Sequence, residues 1–158
     1  MLFRSAPLRP LLAATDHAEA CRWSRDLQGR GLSIQSWNLM TRIRDLDGLL
    51  QRRAEQRQRL HEVHPELSFR ELNDGVPLPF AKKTPEGKDH RRQLLEPFFP
   101  GVFGTLRGQF PRSGVADDDL LDALVLLWSA ERLAVGHGLS LGDPAARDST
   151  GLPLRIQA

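Results

Sequence analysis

The sequence has little cysteine, no long apolar run and no repeats. The single Cys21 excludes an internal disulfide framework, and this usage is typical of a reducing compartment, so we expect a cytoplasmic protein. No apolar run approaches the roughly 20 residues of a membrane-spanning helix, so no membrane partner is expected. Neither an internal repeat nor a low-complexity tract is visible.

Lysine is also scarce, with 3 Lys against 19 Arg. The formal net charge of only +2 predicts no strong overall attraction to nucleic acid. The arginine bias is typical of a GC-rich genome, although arginine also suits phosphate recognition. One alternative therefore stays open, a helical nucleic-acid binder that uses Arg42, Arg44, Arg52, Arg53, Arg57 and Arg59.

The chain length of 158 residues is that of one ordinary domain, so residues 1–158 are expected to form a single domain. The opening "MLFRSAPLRPLLAATDHAEA" weakly resembles a transit peptide, but its apolar segment "LLAA" is too short for a secretory signal. We interpret the opening residues as a loop that leads into the first helix.

Capping residues and apolar spacing predict several helices. One helix ends at Gly29, and the next begins after Ser33 with apolar residues three or four apart. Thr84 and Pro85 are typical of the start of a third helix. A strongly apolar helix follows Asp117. The segment "GVFGTLRGQFPRSGV" is interpreted as a loop, and "LRI" near the end as a short strand.

The stretch "RLHEVHPELSF" (residues 59–69) contains two histidines and two glutamates. Its histidines are one residue too close for the zinc motif His-Glu-x-x-His, and Pro65 disfavours a helix through His64. As a strand, the stretch places Glu62, His64 and Glu66 on one face. Glu62 is then a candidate ligand for a hard cation such as Mg²⁺. The alternative is that these side chains only face solvent.

A second acidic group opens the last helix, where Asp119 and Asp122 are three residues apart and can share a face. Acids in the first turn are stabilised by the helix dipole and by capping, which explains Asp119 without any function. Asp122 lies on the second turn beside the run "LVLLW". Partial burial there would be costly unless a cation or hydrogen bonds compensate, which favours a functional Asp122.

Taken in order, "EVHPELSF", "KKTPEG", "DDDLLDALVLLWSAER" and "GLPLRI" resemble a family of predicted nucleases, domain of unknown function 429. The resemblance runs from about residue 3 to residue 156. It implies an α/β, RNase H-like fold in which a mixed sheet is flanked by helices. It also implies a nuclease that hydrolyses phosphodiesters of DNA or RNA.

The resemblance further implies site residues and a cofactor. Glu62, Asp119 and Asp122 match the family's acids and would hold Mg²⁺ or Mn²⁺ as catalytic ligands. Lys82 and Lys83 lie on a loop where they would contact phosphate of a nucleic-acid substrate, although a solvated loop is an equal alternative.

The sequence departs from the family pattern at its beginning, because the N-terminal hairpin and the first-strand Asp are absent. We therefore expect an N-terminally incomplete RNase H-like domain with weak or absent activity. The missing strands would expose a sheet edge that pairs with a second copy or a completing partner. The alternative function is a non-catalytic fragment or partner-binding module, in which the apolar helix 118–135 docks a partner.

Overall fold

The computed structural model describes residues 7–158, and the loop expected for residues 1–6 lies outside that part. The described chain is mostly helical. Its α-helices are α1 (His17–Gln28), α2 (Ile34–Asn38), α3 (Met40–Arg52), α4 (Pro65–Leu72), α5 (Pro85–Leu95), α6 (Val102–Gln109) and α7 (Asp117–Ala134). Two 3₁₀ helices, Arg9–Ala13 and Ala54–Gln58, complete the helical elements.

The expected RNase H-like mixed sheet is wrong for this structure. The sheet of the described chain has two antiparallel strands, β1 (Ser140–Leu141) and β2 (Ile156–Gln157). Residues 59–69 contribute only an isolated bridge from Val63 to β2, because Pro65 begins α4. Proline is well suited to the first helical position, where no amide donor is needed. A homo-oligomer or completing partner that pairs with a long sheet edge therefore has no matching edge in residues 7–158.

The chain divides into two compact units, and each has a core of its own. The first unit is Met1–Leu60 with Arg147–Leu152, and the second is His61–Ala146 with Pro153–Ala158. The expectation of a single domain stays a prediction. The core of the first unit comprises Leu11, Ala14, Ala20, Leu32 and Met40.

In the second unit, α7 packs against α4, α5 and α6. The buried core there comprises Phe69, Leu95, Leu121, Leu124, Val125 and Trp128. Burying such side chains stabilises the fold by about 1.5–3 kcal/mol each relative to exposure. The apolar face of α7 is thus occupied within the chain itself.

The predicted helix boundaries with clear capping chemistry are confirmed. Gly29 ends α1 in a left-handed conformation at φ 72°, which glycine adopts without strain. The Ser33 side chain accepts a hydrogen bond at the start of α2, and the Thr84 side chain does the same for α5. The helix predicted after Ser33 is interrupted by a turn at Leu39, where α2 gives way to α3.

The segment interpreted as a loop after Pro100 contains α6, so that interpretation is wrong. Val102, Phe103 and Leu106 have helical spacing and pack against the core of the second unit. Gly104 and Gly108 lie on the exposed side, where a glycine costs only propensity. In residues 7–158, no helix has the length and apolar character required to cross a membrane.

Candidate functional site

A half-buried group of charged side chains lies within the second unit, and we call it the Asp122 cluster. It consists of Glu66 from α4, Lys82 from the loop between α4 and α5, Arg91 from α5 and Asp122 from α7. Three helices and a loop therefore contribute one charged side chain each. The cluster has two acids and two bases, so it is neutral when all four are charged.

Asp122 and Lys82 form the first ion pair of the cluster. Lys82 Nζ lies 3.1 Å from Asp122 Oδ2, and the Asp122 side chain is 20% exposed. Burial raises the pKa of Asp122, and the nearby charges of Glu66 and Asp118 raise it further against the opposing effect of Lys82. Its carboxylate is therefore held at a cost that one lysine does not offset.

Glu66 and Arg91 form the second ion pair. Arg91 Nη2 donates to Glu66 Oε2 at 2.7 Å, and the Arg91 side chain is only 3% exposed. Arg91 Nη1 also donates to the carbonyl oxygens of Gly87 and Phe80 at 3.1 and 3.3 Å. Three hydrogen bonds therefore hold the guanidinium beside Glu66, while Arg91 Nε is buried without a partner in the described chain.

Each acid of the cluster keeps one oxygen without a hydrogen bond. Glu66 Oε1 and Asp122 Oδ1 are both buried and unpartnered in the described chain. A buried carboxylate oxygen without a donor carries a desolvation cost of roughly 1–3 kcal/mol or more. Two such oxygens in one cluster are the chemistry that a hard cation satisfies.

The loop that carries Lys82 is held against the start of α5. Thr84 Oγ1 donates to Ala81 O at 3.0 Å and accepts from Gly87 N at 3.1 Å. Gly87 is buried, and a Cβ atom at this position would overlap the Ala81 carbonyl group. Glycine at position 87 thus lets the loop approach α5 closely enough for Lys82 to reach Asp122.

Of the five site residues predicted from the sequence, the structure brings together Asp122 and Lys82. Glu62 is exposed, and its backbone oxygen accepts from Gln157 N at 2.7 Å. Asp119 is also exposed, and its Oδ2 accepts from Ala116 N at 3.3 Å, which is a role at the helix start. Lys83 is exposed on the loop.

Glu66 and Arg91 were not among the predicted site residues. Glu66 is part of "HPE", but the strand interpretation gave no reason to prefer it to Glu62. Arg91 lies four residues after Gly87 and four before Leu95, and all three are buried on one face of α5. This spacing of four was the available signal that Arg91 points inward.

No group of three or more His, Cys, Asp or Glu side chains between residues 7 and 158 is arranged to hold a metal ion. Protein ligands to a cation at the Asp122 cluster would therefore be the two acids Glu66 and Asp122. Each acid offers one unpartnered oxygen, and Mg²⁺ is commonly bound by one or two carboxylates together with waters and substrate phosphates. Because both oxygens are buried, the side chains around them would have to move apart to admit an ion and its waters.

The fold and the cluster define a mostly helical protein with a half-buried set of acids and bases in its second unit. The chain belongs to the family described as "Protein of unknown function (DUF429)", whose family model matches residues 2–147. A search of curated proteins and a search of solved structures each give no match.

Proposed function

We propose that this protein is a metal-dependent nuclease of weak activity, which hydrolyses phosphodiesters of DNA or RNA with Mg²⁺ or Mn²⁺ at the Asp122 cluster. The observation that supports it best is the pair of buried, unpartnered oxygens on Glu66 and Asp122. The proposal keeps Asp122, which is one of the three metal ligands that the sequence resemblance implies. It adds Glu66 as the acid that lies beside Asp122.

Each residue of the Asp122 cluster has a separate role in the proposed reaction. Asp122 Oδ1 and Glu66 Oε1 would hold the cation, while Arg91 keeps Glu66 in place through Oε2. Lys82 stays on Asp122 Oδ2, and its side chain is 38% exposed, so its remaining donors can reach a substrate phosphate. The bound ion would supply activation of water and stabilisation of the leaving oxygen.

Glu62 and Glu66 are the two candidates for the second metal ligand, and a substitution of each one distinguishes between them. The resemblance indicates Glu62, whereas the geometry favours Glu66. We expect Glu66→Gln to lower cleavage at least about 100-fold, since even outer partners of metal ligands typically cost 10–100-fold. Glu62→Gln is expected to have a much smaller effect, because the Glu62 side chain is exposed and away from any partner in the described chain.

The direct test is cleavage of branched, duplex and hybrid nucleic acids with and without Mn²⁺ or Mg²⁺. Cleavage that requires the metal and is lost in Asp122→Asn supports the proposal. Asp26→Asn, which removes an exposed acid from α1, is the matched control. No metal-dependent cleavage by the unaltered chain, or full cleavage by Asp122→Asn, overturns the proposal.

Metal binding gives a second readout that does not depend on activity. Titration of the protein with Mn²⁺, followed by the electron spin resonance signal of the free ion, measures binding directly. We expect Asp122→Asn and Glu66→Gln each to weaken Mn²⁺ binding at least tenfold. Equal binding by all variants would place the metal elsewhere.

A further inference from the structure

A cavity of about 310 Å³ lies between α5, α6 and the start of α7. Pro85, Lys88 and Arg92 line it from α5, and Phe103 lines it from α6. Arg112 lines it from the loop before α7, and Asp117 lines it from the first turn of that helix, so the cavity is partly open to solvent. This volume is at the lower end of the range for small-molecule sites.

The cavity has more positive than negative charge on its wall. Lys88, Arg92 and Arg112 line it, against Asp89 and Asp117. The excess of one positive charge on so small a surface favours an anionic ligand.

The three basic side chains are only loosely held by their acidic neighbours. Arg112 Nε lies 3.5 Å from Asp117 Oδ2 with a side chain that is 77% exposed, and Lys88 Nζ lies 3.8 Å from the same oxygen. Arg92 pairs at 3.3 Å with Asp89 on an exposed helix surface. Ion pairs of exposed arginines contribute little, so Arg92 and Arg112 are available to a bound anion. Lys88 is partly buried, and its 3.8 Å separation from Asp117 leaves it without a short ion pair there.

Arg107 behaves differently from these three. Its Nη1 lies 2.8 Å from Asp117 Oδ1, both side chains are 15% exposed, and Nη2 donates to Val115 O at 2.9 Å. The hydrogen bond from Arg107 lowers the pKa of Asp117 despite partial burial. Asp117 therefore stays ionised and anchored by Arg107, and Lys88 and Arg112 lie near it at the cavity wall without a short ion pair to it.

Phe103 adds an apolar surface to this positively charged cavity. An aromatic side chain beside arginines matches a ligand that has both a phosphate and a flat ring, because bases stack on aromatic faces while guanidinium groups bind phosphate. An inorganic phosphate would use the charges but not the Phe103 surface. The wall chemistry thus fits a nucleotide better than it fits a bare anion.

The cavity is separate from the Asp122 cluster. Asp117 and Asp122 are five residues apart on α7, which places them about 7.5 Å apart along the axis and about 140° apart around it. A ligand in the cavity therefore contacts a different side of α7. Binding there and metal binding at Asp122 can be measured independently.

We propose that this cavity is a nucleotide-binding site, in which Arg92, Arg112 and Lys88 bind the phosphate and Phe103 contacts the base. The further idea that the cavity is a substrate subsite rests on the proposed nuclease function. Nucleotide binding in the cavity does not depend on that function. The phosphate and base belong either to a free mononucleotide or to a nucleotide within a strand. Both present the same chemistry to the cavity wall.

The test is binding measured by calorimetry in the presence of EDTA, which prevents any metal-dependent cleavage. The probes are adenosine 5′-monophosphate, a short single-stranded oligonucleotide and inorganic phosphate. We expect saturable binding of the first or the second, and at least tenfold weaker binding of inorganic phosphate. Binding of the mononucleotide assigns a free nucleotide, and binding of the oligonucleotide alone assigns a strand.

Substitutions locate the binding site. Arg112→Gln and Arg92→Gln change exposed side chains and are expected to preserve the fold while weakening binding about tenfold each. Arg22→Gln removes an exposed arginine from α1 and should bind as the unaltered chain does, as should Asp122→Asn. No saturable binding of either nucleotide probe, or equal weakening by Arg22→Gln, overturns the proposal. Loss of cleavage with retained binding would instead affect only the nuclease proposal.

Discussion

Lys82 Nζ lies 3.1 Å from Asp122 Oδ2, and this contact joins the loop before α5 to the second turn of α7 across 40 residues of sequence. Lysine and aspartate would pair without strain on an open surface. Here the acid is half-buried and its second oxygen has no partner in the described chain. The pair is therefore a weak contributor to the stability of the fold, and its acid is a candidate ligand for a cation.

Asp122→Asn is expected to leave the protein as stable as before, or more stable, at pH 7. Because burial raises the pKa of Asp122, the folded state binds its proton more tightly than the unfolded state does. The ionised side chain therefore destabilises the fold above its folded pKa, and this cost disappears as the pH falls toward the unfolded value. Urea unfolding at pH 7, 5.5 and 4 measures the free energy of unfolding of Asp122→Asn and of the unaltered protein. The difference between the two should become smaller as the pH is lowered. A clear loss of stability at pH 7 that is not smaller than the loss at pH 4 would contradict this expectation.

Asp148→Asn is expected to have the opposite effect on stability. Burial alone would raise the pKa of Asp148, but hydrogen bonds from Leu152 and Thr150 and the contact with Arg9 lower it from 3.8 to about 2. The ionised group thus stabilises the fold, and this contribution is present above the unfolded pKa and is lost as the pH falls through about 2. Urea unfolding of Asp148→Asn should show this loss at pH 7 and little loss at pH 2. Asp26→Asn is the control. An equal loss of stability in both variants would show that the ionised Asp148 makes no special contribution to the fold.

Ser129 and Ser68 are expected to depend on each other. Ser129 Oγ donates to Ser68 Oγ at 2.7 Å, and both residues are fully buried between α7 and α4. Replacing either with alanine leaves the other hydroxyl unpaired, at a cost of roughly 1–3 kcal/mol. The double variant should lose clearly less than the sum of the two single losses. Additive losses in a double-mutant cycle would show that the two hydroxyls do not act as a pair.

Gly87→Ala is expected to destabilise the protein although alanine is the better helix former. The added Cβ would overlap the Ala81 carbonyl group, so the loop must move away from α5 or α5 must unwind. We expect a loss of about 1–3 kcal/mol, as for other overpacked sites. Thermal unfolding of the variant and of the unaltered protein measures this loss. Gly104→Ala is the control, because a Cβ there meets open space on α6, and it should be neutral or stabilising.

The sequence predicted those parts of the fold that depend on neighbouring residues. Gly29, Ser33 and Thr84 mark helix ends because the chemistry of a cap involves only three or four residues. The predicted sheet depended instead on alternation over a short polar stretch and on the resemblance. With few apolar residues to bury, such alternation is weak evidence. Pro65 disfavours helical geometry at His64, but it is well suited to begin a helix itself, as it does in α4.

The candidate site could be predicted only in part for a similar reason. Asp122 stood out because an acid next to an apolar run must be compensated. Glu66 lies 56 residues before Asp122 along the chain. Arg91, which forms the ion pair with Glu66, lies 25 residues after Glu66. Which of two glutamates faces Asp122 depends on how α4 and α5 pack, and local sequence patterns do not contain that information.

The Arg91 guanidinium also lies over the Phe69 ring, with 5.3 Å between the guanidinium carbon and the ring centroid. Phe69 is fully buried in the core of the second unit. Arg91 is thus held from two sides, by the ring of Phe69 and by the carbonyl oxygens of Gly87 and Phe80. The Glu66 side chain is 35% exposed, and its carboxylate meets a partner that does not move with it. Movement of Arg91, unlike rotation of Glu66, would require the core to loosen, which amide hydrogen exchange detects as a slow, rare opening.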